Sequence, residues 1–256
     1  MTSNFEPVCF PGMSDIIDSS CMSKVRMMTF HGVSGSAGYA SVRWNNLSGS
    51  IEERTRAKCL LISELLKKGL NARHYSHKVI EKCCSPSTAE LSYSPLGKPR
   101  LVLDDHEEQR LSVSFSHLDR RTWVALCYYV QGVGIDAASA DEFRDAYPYA
   151  RAFHQEELDL AADLGCQDQA EIAALIWAAK EATVKALGCG FHLLDPLDVR
   201  IALPQIHKCP DGLGMVALIG HKPNTIGGAQ KFLQVKIVRE FECWVAIAVT
   251  NKDSLP

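Results

Sequence analysis

The chain has 256 residues, 46% of them hydrophobic and 22% charged, with a formal net charge of −3. That size supports one large domain or two small ones, and that charge gives no blanket attraction to nucleic acid or to an anionic membrane surface, so neither is expected as a partner. No apolar run approaches the roughly 20 residues of a membrane helix, MTSNFEPVCF does not open like a signal peptide, and the ten cysteines include no C-x-x-C pair, which argues against zinc-ribbon or thioredoxin-like chemistry and for reduced thiols in the cytoplasm.

Residues 1–25 are polar and without period, and they read as an extension. Short β-prone pieces follow over 28–50, around the loop HGVSGSAG. Gly32, Gly35 and Gly38 lack the Lys-Ser/Thr ending of a phosphate loop, so a plain flexible turn is expected there. Residues 51–69 form an amphipathic pattern, with Ser50 as cap, Glu52 and Glu53 in the first turn, and Lys67, Lys68 and Gly69 at the end. A shorter helix is predicted over 74–83, and Pro86, Pro95 and Pro99 then punctuate a loop region. LSVSF and WVALCYYV read as paired strands joined through HLDRR. VQGVGID opens the second half, followed by helical segments at 140–146, 148–164 and 168–187 and strands near 197–203, 213–219, 231–239 and 242–250. Strand, helices, then strands predict an α+β fold.

The residues that carry chemistry sit at the ends of these elements. WAAKEATVKALGCGF (177–191) places Trp177, Glu181 and Lys185 at steps of four, on one helix face. Such an acid–base pair is often a surface ion pair, but Trp177 on the same face argues against full solvation. Gly188 and Gly190 close the helix, as a cap or as a close approach to a ligand. Asp136 ends the apolar strand VGID, where a carboxylate either starts a turn or holds Mg²⁺. Ser116 and His117 follow a strand, and Gly97-Lys98-Pro99 is a tight turn presenting Lys98 and Arg100. A Ser116–His117–Asp136 hydrolase triad is disfavoured, because the chain has no G-x-S-x-G elbow. Arg54 and Lys58 offer further phosphate contacts on charge alone.

Taken together, Gly97-Lys98-Pro99, Ser116-His117, Gly134-Ile135-Asp136 and Trp177 to Gly190 resemble, in order and spacing, the motifs of the large single-chain 4′-phosphopantetheinyl transferases. Phe153 with Glu156 or Glu157 resembles a further aromatic-plus-acid segment. The resemblance covers residues 93–200 well and hardly touches 1–90. It implies two similar α+β halves forming a pseudo-dimer, here 26–130 and 131–256 after an extension of 1–25, in a cytoplasmic monomer. It implies Mg²⁺-dependent transfer of the 4′-phosphopantetheine group from coenzyme A to a serine of an apo carrier protein (acyl, aryl or peptidyl), releasing adenosine 3′,5′-bisphosphate. Such carriers serve fatty acid, polyketide or nonribosomal peptide biosynthesis. By resemblance, Asp136 and Glu181 bind the metal, Glu181 and Lys185 are catalytic, and Lys98, Ser116, His117 and Lys185 contact coenzyme A.

One position departs from the pattern. The family usually carries a second acid two residues after the metal Asp, and here that residue is Ala138. The alternative is therefore a non-catalytic member that binds a carrier protein or coenzyme A without transferring the arm.

Overall fold

A computed structural model describes residues 17–18, 26–30, 36–44, 58–59, 61–62, 65, 89–103, 106–107, 111–128, 132–162, 168–202, 208–209, 212–219 and 231–250. The predicted helix at 74–83, Gly32, Gly35, Arg54, Lys67 and Lys68 lie outside them. Two antiparallel sheets organise the described residues. In the first, β1 (Ile17–Asp18) and β2 (Arg26–Thr29) pair with β3 (Ser36–Trp44), which pairs with β8 (Arg121–Tyr128), and β8 pairs with β7 (Leu111–Leu118). In the second, the order is β10 (Val199–Ala202), β12 (Gly212–Ile219), β13 (Lys231–Glu240), β14 (Cys243–Thr250), β9 (Gly132–Ser139), with β11 (Lys208–Cys209) also on β12. A small third sheet joins β4 (Ala89–Tyr93), β5 (Pro99–Leu103) and β6 (His106–Glu107). Strands and helices are mixed, so the fold is α+β.

The two large sheets share a plan. β3–β8–β7 and β9–β14–β13 have the same order and the same antiparallel senses. Each closes with a two-residue turn, Asp119–Arg120 or Phe241–Glu242, whose first residue is left-handed at φ 51° or 49°. Counting from those turns sets Gly38 in the place of Gly134 and Ala40 in the place of Asp136.

The sheets meet side by side at β7 and β9. A strand at a sheet edge presents unpaired N–H groups. Here Ser112, Ser114 and Ser116, at alternate positions of β7, accept from the N–H groups of Val133, Ile135 and Ala137 at 2.9, 3.1 and 3.1 Å. Serine hydroxyls thus stand in for a backbone ladder. An apolar core of Met28, Tyr39, Trp123, Ile135, Val245 and Ile247 fills the space between the sheets.

Two helices cover the other face of the second sheet. α1 (Gln155–Ala162) and α2 (Gln169–Leu187) lead a second core containing Leu175, Ile176, Val235 and Ala246. Asp168 caps α2 by accepting from the N–H of Ala170, and Gly188 ends it at φ 79°. α2 meets β9 through alanines and glycines at very close range. A Cβ on Gly134 would lie 1.9 Å from the carbonyl oxygen of Ala182, and one on Gly132 1.9 Å from that of Ala186.

Several expectations need correction. Ile17–Asp18, assigned to an irregular extension, pair with Trp44 and Arg43 as a strand. Gly38 belongs to β3 and not to a flexible turn, because β2 and β8 flank it. The single helix predicted over 148–164 is a 3₁₀ turn at Tyr149–Arg151 followed by α1, and the first helical segment is a 3₁₀ turn at Ala140–Phe143. Of the helix at 51–69, Lys58, Cys59, Leu61, Ile62 and Leu65 are described, and they are helical.

Candidate active site

The site begins at the β7–β9 seam. Asp136 is buried, 7% exposed. Its Oδ1 accepts from Lys185 Nζ at 2.6 Å and from the Ser116 hydroxyl at 2.9 Å. The Ser116 oxygen accepts in turn from the N–H of Ala137. Lys185 also donates to the carbonyl of Ile135 at 3.3 Å. Burial pushes the Asp136 carboxyl up from the usual carboxylate range, while Lys185, Ser116 and the Ala137 N–H pull it back. Glu181, one helical turn before Lys185, is pushed up by burial first and then by the charge of Asp136. The close approach of α2 to β9 is what brings this helical pair to the strand carboxylate.

Outward from this network lies a cavity of about 290 Å³. Its walls include Lys58, Lys98, His117, Glu181, Lys185 and the Gly188–Gly190 backbone. These residues come from four stretches far apart in sequence. Gly188 makes the joint: a Cβ there would lie 2.9 Å from Lys98 Cδ, so the glycine lets the Lys98 stem cross the end of α2. The turn that carries Lys98 is held by Ser94, whose Oγ accepts the Lys98 N–H at 3.0 Å, and by Gly97 at φ 81°. Burial, then Arg100, lowers the pKa of Lys98. His117 is held with Nδ1 2.7 Å from Thr122 Oγ1 across the β7–β8 pair. Lys58 sits 4.9 Å above the Phe115 ring. A pocket with three ammonium groups, an imidazole and one carboxylate suits a polyphosphate and a proton transfer beside it.

The sequence profile of the 4′-phosphopantetheinyl transferase superfamily matches residues 132–221. That stretch is similar to this superfamily. It runs from β9 through α2 to β12 and holds Asp136, Glu181 and Lys185. A solved structure, the holo-acyl-carrier-protein synthase of Thermotoga maritima, is 25% identical over 48% of this chain and 64% of its own length, at a TM-score of 0.34. The chain thus spans less than two thirds of that protein. No curated protein matches the chain.

The site residues separate by position. Glu181, Lys185, Lys98 and His117 line the pocket, whereas Asp136 lies behind Lys185 and Ser116 faces Asp136. The Ser116 hydroxyl has both a donor and an acceptor partner at the seam, so it acts on Asp136 and β9. Of the aromatic-plus-acid segment, Phe153 and Glu157 are buried and Glu156 is exposed. Glu157 pairs with Lys180, which is fully buried. Lys180 Nζ donates to Glu157 Oε2 at 2.8 Å and to the carbonyls of Ala152 and Pro196 at 2.9 Å each. Lys180 therefore pins α2 to α1 and the Pro196 turn and does not reach the pocket. Its burial was legible: Ile176, Thr183 and Val184 surround it at helical spacing.

The donor set suits a hard cation. The charge of Asp136 bears on Glu181, and both residues offer carboxylate oxygens. Mg²⁺ takes one or two protein carboxylates and completes its shell with water and phosphate oxygens. Ala138 is 1% exposed in the helix-side core and offers no ligand. Glu142 is also within electrostatic reach of Asp136, with Oε1 accepting the Ser139 N–H at 2.8 Å. Among the described residues no group of three His, Cys, Asp or Glu forms a metal cage, and no helix is long and apolar enough to cross a membrane.

Proposed function

We propose that this chain transfers the 4′-phosphopantetheine group of coenzyme A to a serine of an apo carrier protein. One observation carries the reading: a single cavity gathers Lys98, His117, Glu181 and Lys185, the residues that the motif comparison selected from separate segments. The similarity of residues 132–221 to the 4′-phosphopantetheinyl transferase superfamily supports it.

In this mechanism the pyrophosphate lies among Lys98, His117 and Lys185, whose N–H groups neutralise its oxygens. Asp136 and Glu181 would hold Mg²⁺, which would supply further neutralisation of the pyrophosphate. The serine oxygen attacks the β-phosphorus, the bond from that phosphorus to the bridging oxygen breaks, and adenosine 3′,5′-bisphosphate leaves. Glu181, or a water it orients, takes the serine proton, and the raised pKa of its carboxyl makes it a stronger base than a solvated one. Lys185 starts on Asp136 and is positioned to stabilise the leaving oxygen. Ser116 acts by holding Asp136.

We further propose that 26–130 and 131–256 are two related halves of one monomer in the cytoplasm. The shared strand order and turn register support this, and Ala40 in the place of Asp136 accounts for a single metal site.

The test incubates the protein with labelled coenzyme A, Mg²⁺ and a panel of apo carriers and follows the mass of each. A mass gain on at least one carrier, abolished in Glu181→Gln with an unchanged circular dichroism spectrum, is expected. Full transfer by Glu181→Gln removes that residue from the mechanism. Binding of carrier or coenzyme A without any mass gain selects the non-catalytic alternative that Ala138 leaves open.

A further inference from the structure

His117 and Thr122 stand directly opposite each other on β7 and β8, the second pair in from the Asp119–Arg120 turn. The imidazole is exposed at the wall of the pocket, and its Nδ1 lies 2.7 Å from Thr122 Oγ1. Thr122 itself is 0% exposed. It lies on the strand between β3 and β7, and its partner on the other side is the buried Val42.

For packing alone a hydroxyl is a poor choice at this position. Val has the shape of Thr, and a hydroxyl taken out of water costs free energy unless it is hydrogen-bonded. What Thr122 offers is a rigid anchor. Its backbone is paired on both sides, and its branched Cβ restricts χ1. The matching positions of the β13–β14 hairpin, counted from the Phe241–Glu242 turn, hold Arg239 and Trp244, with the guanidinium 5.6 Å from the ring. There the cross-strand pair is a cation on an aromatic face. The hydroxyl–imidazole pair stands in the hairpin that borders the pocket.

We propose that Thr122 is a positioning residue, an inference that rests on the transfer function above. Its hydroxyl holds the His117 ring so that Nε2 presents an N–H to a phosphate oxygen of the substrate. A free neutral imidazole carries its proton on either nitrogen. A phosphate oxygen needs a donor, and the Nδ1–H tautomer would offer it only the lone pair of Nε2. Thr122 settles the choice by donating to Nδ1, which leaves the proton on Nε2. If the ring takes a second proton beside the anion, the same hydroxyl rotates and accepts from Nδ1–H. Nε2 is then a donor in both states, because a hydroxyl both donates and accepts, whereas a carbonyl or an amide N–H serves one state only. A ring already tethered on one side also loses less freedom when the phosphate arrives.

The experiment compares the full chain with Thr122→Val, Thr122→Ser, His117→Gln and the Thr122→Val/His117→Gln double variant. Calorimetry measures coenzyme A affinity, and carrier mass measures transfer. Ring ¹⁵N chemical shifts report the His117 tautomer in buffer above the usual imidazole pKa, assigned by the signals that vanish in His117→Gln. Wild type is expected to show the Nε2–H tautomer. Thr122→Val should weaken coenzyme A binding and raise its KM by about tenfold, with most of the loss in KM rather than kcat. Thr122→Ser should restore most of that loss, and Thr122→Val should cost no further affinity once His117 is Gln. An Nδ1–H tautomer in wild type overturns the proposal, and that measurement needs no variant to fold. Unchanged coenzyme A affinity in Thr122→Val also overturns it, while a mass gain on a carrier by wild type leaves the transfer function standing. Equal losses with and without His117 overturn it too, by making Thr122 a packing residue only. Coenzyme A binding that depends on Thr122 through His117, in a chain that modifies no carrier, keeps the positioning role and refutes the transfer function.

Discussion

Lys180→Met tests whether the α2 helix is held in place by one buried ion pair. The lysine is wholly inaccessible and makes three hydrogen bonds of 2.8–2.9 Å. Glu157, its partner, also accepts from the N–H groups of His154 at 2.9 Å and Ile201 at 2.7 Å. Those two donors remain after the substitution, but the countercharge does not. Burial already lowers the pKa of Lys180, opposed by Glu157, so the pair survives only because both members are matched. Removing one member of a buried pair costs about 3–5 kcal/mol, against about 5–15 kcal/mol for a whole domain. Urea unfolding followed by tryptophan fluorescence should therefore show a large drop in midpoint. Glu157→Gln keeps an acceptor for one of the backbone donors. The double variant should thus recover about 1–3 kcal/mol relative to the sum of the single losses. Glu181 is the next residue, so a loosened α2 should also weaken the proposed transfer. A single variant that loses under about 1 kcal/mol, or strict additivity in the double, refutes the reasoning.

Three other outcomes follow from the same geometry. Gly134→Ala puts a methyl 1.9 Å from the Ala182 carbonyl, so α2 must retreat from β9, at a cost of about 1–3 kcal/mol or more; a lower thermal midpoint with loss of transfer is expected, and an unchanged midpoint contradicts the packing. Glu181→Gln should raise the stability of the metal-free protein at neutral pH. The raised carboxyl pKa means that the folded state favours the protonated form, so this contribution to stability is present below the unfolded pKa and lost as pH rises through the folded one; the gain measured in thermal melts should shrink in acid, and equal gains at both pH values would falsify the assignment. Burial pushes the Cys59 thiol from 9.0 to about 11 and the Cys243 thiol from 9.0 to about 12. Both support the fold below the ordinary thiol pKa and lose that support as pH rises through the folded values, so urea midpoints should fall through this alkaline window, less steeply in Cys243→Ser.

What the sequence made legible follows from which interactions are local. Glu181, Lys185 and Gly188 share one helix, and a period of 3.6 residues places them without knowledge of anything else. Ser116 does not yield to the same reasoning. Its neighbours are set by the pairing of β7 beside β9, and the hydroxyl that suggested a ligand contact holds Asp136 and Ala137. The alternation Ser112, Ser114, Ser116 was visible, but its purpose depends on an edge strand twenty-one residues later. Glu156 and Glu157 were indistinguishable by type, and only the position of Lys180 makes the second the buried partner. Gly38 read as a loop residue because glycine signals turns more often than close helix–strand contact. Its counterpart Gly134 shows the other use, where a missing Cβ lets a helix reach a strand.

These non-local contacts explain why the site is assembled from distant segments. Asp136 lies on an edge strand, and an edge strand alone holds a side chain loosely. The serines of β7 satisfy β9 on one side, and α2 packs against its glycines on another. β7 also carries His117, and the end of α2 leaves room for Lys98. The contacts that fix the Asp136 carboxylate are thus made by the same two elements that deliver the basic groups to the pocket. A shift of β7 against β9 would move His117 and release Asp136 together, so substitution of Ser112, which neither lines the pocket nor contacts Asp136, acts on the whole pocket through that seam.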